Sequence, residues 1–299
     1  MDTFSGAQFR DDNAAREYLE RLLWPFGPVC PHCGVVDHAY ATKRPGVYRC
    51  AEKECRKDFT VTMRTVMERS KIALHKWLQA FHLMCSSKKG MSAHQLHRTL
   101  GVTYEAAWFM AHRIRAAMTA GGLSPLGSGG GIVEADETFF GHIPGTKRRQ
   151  GVGHKMALMT LVERGGNLRS FKINRANRVE VERVINANVS KEARLMTDSA
   201  SYYRRGKFNV ASHEKVNHEI AEWSRGDAHT NTLESYYSVF KRGMKGTYQH
   251  CREKHLHRYA AEFDFRYNTR IALGIADGER AALAVKGAAG KRLTYRGTH

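Results

Sequence analysis

The sequence predicts a mixed α/β protein in which a small cysteine-bearing module and a helical module precede a larger α/β domain. Three observations predict it. Four spaced cysteines fall between residues 26 and 62, helical periodicity takes over across 66–120, and strand and helix patterns alternate across 132–272, beyond a glycine-rich run at 121–131.

Composition bounds what such a chain can do. With 299 residues, 42% hydrophobic and 10% aromatic, it can bury real cores, which excludes wholesale disorder. A formal net charge of +19 exceeds what solubility asks and points to a polyanionic partner, because cations that neutralise phosphates release condensed counterions. Charge alone leaves DNA, RNA and anionic membrane open. No apolar run approaches the roughly 20 residues that span a bilayer. Residues Met1 to Glu20 carry Asp, Arg and Glu throughout, unlike the apolar stretch of a signal peptide. The expected location is therefore cytoplasmic and nucleoid-associated, with no membrane partner.

After an N-terminal helix (1–25) comes the cysteine module (26–62). Cys30 and Cys33 form C-x2-C, sixteen residues follow, and Cys50 and Cys55 form C-x4-C. Each short pair grips one edge of a tetrahedron, as one structural zinc ion requires. Short strands are expected around Tyr48–Cys50 and Lys57–Val61, which makes this a zinc ribbon able to meet DNA or another protein. His32 has no coordination site left, and Cys85 and Cys251 read as ordinary thiols.

The helical module (66–120) opens with an amphipathic helix from Met67 to Met84, placing Ile72, Leu74, Trp77, Leu78, Phe81 and Leu83 at helical spacing. Ser92 is positioned to cap a helix through Leu100, Gly101 to turn the chain, and Thr103 to cap a second helix carrying Arg113 and Arg115. That is the punctuation of a helix-turn-helix, in which Arg113 and Arg115 would contact DNA, and equally of a plain helical hairpin. The run 121–131 reads as a linker. A second loop, Gly141–Gly153, carries Lys147, Arg148 and Arg149, either close to phosphate or simply solvated.

Strands are expected at Ile132–Phe140, Met156–Glu163 and Leu168–Ile173, the last two joined as a hairpin at Gly165-Gly166-Asn167. A helix should follow from Asn177 to Val189 with Val179, Val181, Val184 and Ile185 inward, then a short strand from Ala193 to Thr197. Antiparallel strands, a crossover helix, a further strand and later helices predict a ribonuclease H-like core.

Three acids sit where such a core needs them. Asp136 lies on the first strand, where period two sets Glu134, Asp136 and Thr138 on one face and Ala135 and Glu137 on the other. Asp198 ends the later strand, and Glu234 leads into a helix. Singly, each is ordinary: a strand residue, a turn former, a helix charge partnered by Lys241 or Arg242. Their order and the elements they occupy lift them together. Converging carboxylates call for a cation, and Mg2+ (or Mn2+) is the oxygen-seeking choice. Two ions roughly 3.5–4 Å apart would serve the attacking and leaving oxygens of a phosphoryl displacement.

Asp136-Glu137-Thr138 followed by Phe140-Gly141, Thr197-Asp198, and His229-Thr230-Asn231 with Glu234 and Phe240-Lys241-Arg242-Gly243 resemble the insertion-sequence transposases numbered fifteen ninety-five. The cysteine quartet followed by Phe59-Thr60, and the segment around Trp77, match the N-terminal half of that family. The likeness runs from about Phe9 to about Ile271. It implies a zinc ribbon ahead of a DDE catalytic domain, with Asp136, Asp198 and Glu234 as metal ligands. It makes Lys241, two helical turns beyond Glu234, a DNA contact, and gives His229 and Asn231 supporting roles. Some relatives place Asn at the third acidic position, so Asn231 could share it. The implied activity is metal-dependent cleavage at transposon ends and transfer of the 3′-hydroxyl into target DNA, by a homodimer or higher assembly at synapsis. The alternatives are a ribonuclease H-like nuclease without strand transfer and a domesticated, non-catalytic DNA-binding regulator. Arg242 and Lys245 extend the basic segment expected to grip DNA backbone. The region 273–299, which includes Lys291, Arg292 and Arg296, reads as a frayed basic tail.

Overall fold

Asp11 starts the first helix by accepting a hydrogen bond from the Ala14 N–H (2.8 Å), and α1 then runs Asp12–Leu23. The computed structural model describes residues 4–122, 124–148, 150–216 and 229–294, so Leu123, Arg149 and Arg296 lie outside the described residues. These form two compact units, Met1–Thr119 with Ile271–His299, and Ala120–Arg270.

In the first unit, β1 (Ala39–Ala41), β2 (Tyr48–Cys50) and β3 (Asp58–Phe59) form an antiparallel sheet in sequence order. Helix α2 spans Leu74–Ser86 and buries Trp77, Leu78, Phe81 and Met84. It starts seven residues later than periodicity suggests. Arg64 and Arg69 sit at φ 54° and 56°, and the hydroxyls of Thr65 and Ser70 accept from the N–H groups of Met67 and Ile72. Those local bonds offer the backbone an alternative to the helix. Helices α3 (Ala93–Leu100) and α4 (Tyr104–Met118) follow the sequence punctuation. Ser92 accepts from Gln95 N (3.1 Å), Gly101 turns at φ 59°, and Thr103 accepts from Ala106 N (3.2 Å).

The second unit is organised by a five-stranded sheet of β4 (Ile132–Phe140), β5 (Met156–Glu163), β6 (Leu168–Ile173), β7 (Arg194–Asp198) and β8 (Ser212–Val216), in the order β6-β5-β4-β7-β8. The first three are antiparallel neighbours, whereas β7 runs parallel to both β4 and β8. Helix α5 (Arg178–Asn188), capped by Asn177, covers one face with Val181, Val184 and Ile185. Val179 is 67% exposed rather than inward, because it lies two residues, about 200° of helix, from Val181. A short helix α6 (Ser201–Arg204) follows β7. The other face carries α7 (Asn231–Gly243), which continues as a π-helical turn (Met244–Tyr248), and α8 (Leu256–Asn268).

Two expectations are corrected. The tail is not frayed: α9 (Asp277–Lys286) buries Arg280, Ala281, Ala284 and Val285 within the first unit. Its Arg280 Nη1 donates to the Cys85 carbonyl on α2 (3.2 Å), and Lys291 Nζ donates to the carbonyls of Ala117 and Thr119. Two of these four are alanines and one is an arginine, so the apolar period is faint in the sequence. Nor is 121–131 wholly a linker. Leu126 is buried and exchanges backbone hydrogen bonds with Asn188 and Ser190 (2.8 Å each). Gly127, at φ 76°, leaves a Cβ no room beside Ala193 and Val133.

Among the described residues, no helix is long and apolar enough to cross a membrane.

Candidate active site and metal centre

The sheet register brings the first two acids together. Glu134 pairs with Met196 across parallel strands β4 and β7. Asp136 and Asp198 each stand two residues beyond that last paired position, on neighbouring strands. Glu234 enters from the first turn of α7. Asp136 feels all of these charges. Its carboxyl is held well above the usual range by burial first, then by Glu137, Asp198 and Glu234, while the Glu137 N–H (2.7 Å) pulls the other way. Asp136 thus feels the charge of both other acids. Among the described residues, the cysteine quartet is the only group of three or more such side chains whose ligand atoms all lie within 4.8 Å of one another, and the three acids do not. A hard divalent cation fits this donor set: all three offer carboxylate oxygen, and the half-buried Asp136 is crowded by negative charge.

Further side chains fix these elements. Glu134 is fully buried, and its carboxylate takes Arg164 Nε (2.7 Å), Thr232 N (3.1 Å), Thr232 Oγ1 (2.9 Å) and Leu233 N (3.3 Å). It thus satisfies orphan N–H groups at the start of α7 from a different element. Tyr237 donates to the Asp136 carbonyl (2.6 Å). On the opposite face, Glu137 accepts from Tyr202 Oη (2.8 Å) and from Tyr203 Oη. Burial raises the Glu137 carboxyl to about 7, against the pull of the two tyrosines, with the Asp198 charge adding to the rise. Sequence reasoning assigned Glu134 and Glu137 to opposite faces but gave neither a role. The available signal was two acids inside a nine-residue strand, since buried charge demands partners.

His229 sits in the same network. Its Nδ1 lies 3.3 Å from Glu134 and 3.0 Å from Arg164 Nη2, which also donates to the His229 carbonyl (3.0 Å). Asn231 is exposed as the first residue of α7, three residues and nearly one turn before Glu234. Lys241 shares that helix and is half-buried; Arg242 and Lys245 are exposed. Seven residues separate Glu234 from Lys241, about 10.5 Å along one face.

Arg113 and Arg115 are withdrawn as DNA contacts. Both are buried on α4, and Arg113 donates to the carbonyls of Val66 (2.8 Å), Glu68 (3.0 Å) and Leu293 (3.2 Å) while lying 4.3 Å over the Phe109 ring. A guanidinium committed to three backbone carbonyls fastens the helical unit and has no free fork for phosphate.

In the ribbon, the Sγ atoms of Cys30 and Cys55 lie 3.7 Å apart and those of Cys33 and Cys50 lie 3.6 Å apart. Zinc about 2.3 Å from each sulfur sets tetrahedral edges of about 3.8 Å, so the quartet fits a structural zinc ion. Burial pushes the Cys50 thiol up to about 12. Burial also opposes ionisation at Cys30, but the N–H groups of Cys33 and His32 prevail and lower it to about 7. His32 is outside the quartet, its Nε2 3.4 Å from the Asp58 carbonyl.

Comparison with known proteins agrees with this geometry. Residues 129–268 match the model of the ISXO2-like transposase domain, and residues 10–58 match the transposase zinc-ribbon domain. An uncharacterized protein in transposable element ISH50 of Halobacterium salinarum is 27% identical over 257 residues, covering 79% of this chain and 84% of that protein. With its cysteine quartet inside one matched segment and its three acids inside the other, the chain belongs to the insertion-sequence transposases of the family numbered fifteen ninety-five.

Proposed function

We propose that the chain cleaves DNA at the ends of its element and joins the freed 3′-hydroxyls to target DNA, using Asp136, Asp198 and Glu234 as ligands for Mg2+ or Mn2+. The observation that carries this is the coupling of a half-buried Asp136 to Asp198 on the neighbouring strand and to Glu234 on α7. The order of the sheet supports a ribonuclease H-like fold: a three-stranded antiparallel meander, then two parallel strands. In that fold the acids gather at adjacent strand positions.

The protein's own groups divide the work. Asp136 and Asp198 present oxygen from rigid strands, and Glu234 completes the set from a helix fixed at its N-terminus. Metal bound there supplies the Lewis acidity that activates an attacking hydroxyl and neutralises charge on the leaving oxygen. Lys241, Arg242 and Lys245, along α7 and its π-helical extension, hold the DNA backbone near the acids. His229 helps seat α7 and Asn231 stands at its tip, where it can share the third ligand position. The α3–α4 pair acts as a helix-turn-helix in this reading, with DNA contacts from residues other than Arg113 and Arg115. Two element ends require at least a dimer at synapsis, and the place of action is the nucleoid.

Incubating the protein with Mg2+ and paired element ends tests the reading, with joined product expected. Cut product alone would make the chain a nuclease, and a shifted band without cleavage a DNA-binding regulator. Asp136→Asn should abolish cleavage and leave DNA binding within about two-fold, since it removes a ligand charge and no basic surface. Wild-type cleavage by Asp136→Asn would remove Asp136 from the site.

A further inference from the structure

We propose that Glu134 and Glu137, the acids flanking Asp136 on β4, are positioning residues that hold Glu234 and Asp198 against it. The inference rests on the reading of Asp136, Asp198 and Glu234 as metal ligands.

Strand β4 lies in the middle of the sheet, where apolar side chains would pack at no electrostatic cost. It instead carries three acids in four residues, and each of the two flanking acids reaches a different element. Glu134 points toward α7. It accepts from Thr232 N, Thr232 Oγ1 and Leu233 N, and the next residue in the chain is Glu234. Its charge is matched by Arg164 at 2.7 Å, and Arg164 also holds the His229 carbonyl just ahead of α7. The start of the helix is therefore held at three residues, His229, Thr232 and Leu233, all ahead of Glu234.

Glu137 points the other way, toward α6. Its carboxylate takes the hydroxyls of Tyr202 and Tyr203, four and five residues beyond Asp198. The tether between them is short and itself braced, because Asp198 Oδ1 accepts from Ala200 N (3.0 Å) at the start of α6. Fixing the two tyrosines fixes the turn that carries Asp198. One strand thus supplies one ligand and both restraints on the other two. Period two makes this possible: it sends Glu134 and Asp136 to the α7 face and Glu137 to the α6 face.

Outer-shell partners of metal ligands commonly alter metal affinity by about 10–100-fold. The test uses the full-length, zinc-loaded protein and reads Mn2+ binding directly by electron paramagnetic resonance, alongside metal-free DNA binding by mobility shift. Glu134→Gln and Glu137→Gln are each expected to weaken Mn2+ binding by about ten-fold or more, with DNA binding and circular dichroism unchanged. Thr232→Ala and Tyr202→Phe break the same links from the other side, and replace either Glu variant if it does not fold. Asp136→Asn is the control. Should it lose Mn2+ while the flanking variants bind the ion normally, the positioning role is wrong. Should it bind Mn2+ like the wild type, the metal-site reading is wrong, whatever the flanking acids do.

Discussion

Acidic residues buried or half-buried in the second unit have to be held in place, and three of them are held differently. Asp136 is crowded by other acids, Glu134 is neutralised by Arg164, and Asp264 is held only by neutral donors. Asp264 accepts from Ser170 N (2.7 Å), Ser170 Oγ (2.7 Å) and Tyr236 Oη (2.6 Å), tying α8 to the edge strand β6 and to α7. Burial raises its carboxyl to about 6, although those three donors pull it down. The sign of the pH effect follows. Below about pH 4 the group is protonated whether folded or unfolded, so it has no effect on stability. Between about 4 and about 6 the folded state binds the extra proton, and stability is lost as pH rises through that window. The full loss, on the order of a few kcal/mol, is present above about pH 7. Chemical denaturation of the wild type and of Asp264→Asn from pH 4 to 7.5 checks this. The wild type should lose stability relative to the variant as pH rises, and parallel curves would show that Asp264 is not held as described.

Much of the element pattern was legible in the sequence, for identifiable reasons. The limits of β4 follow from a run rich in β-branched and aromatic residues between Gly131 and Gly141, the break between β5 and β6 from the turn at Gly165-Gly166-Asn167, and the caps at Ser92 and Thr103 from hydroxyls placed before helical runs. Three features were hidden. Helix α9 packs through two alanines, a valine and an arginine, which carry almost no hydrophobic period. The start of α2 is set by side-chain to backbone bonds at Thr65 and Ser70, not by the apolar spacing that continues through them. Arg113 reads as a surface cation because nothing local marks Val66 and Leu293 as its partners, 47 and 180 residues away. The site itself was half legible. Spacing and order singled out its three acids, but the restraints at Glu134 and Glu137 depend on contacts 65 to 99 residues apart.

The ribbon makes its own prediction at this scale. Its buried cluster is only Cys30, Cys50 and Phe59, with a few partly buried neighbours such as Trp24 and Tyr48. So small a core cannot offset chain entropy without a metal. Chelating zinc should expose residues 26–62 to protease first, with the second unit still folded. Unchanged proteolysis after verified zinc loss would show that the ribbon stands without the ion.

At the scale of the whole molecule, the charge of +19 and the carboxylate site serve one substrate in opposite ways. Cations draw the phosphate backbone in, with an affinity that falls as salt rises. The acids repel it unless a divalent ion lies between. The proposed function therefore makes DNA binding and catalysis separable: binding would depend on surface charge spread over the chain, and chemistry on three side chains holding a metal. Crystals of the full chain grown with Mn2+ test that dependence most directly. Anomalous scattering from manganese should appear between the carboxylates of Asp136, Asp198 and Glu234, with those side chains drawn closer together. Manganese-loaded crystals with no anomalous signal at these three groups, or with the signal seated elsewhere in the second unit, would contradict it.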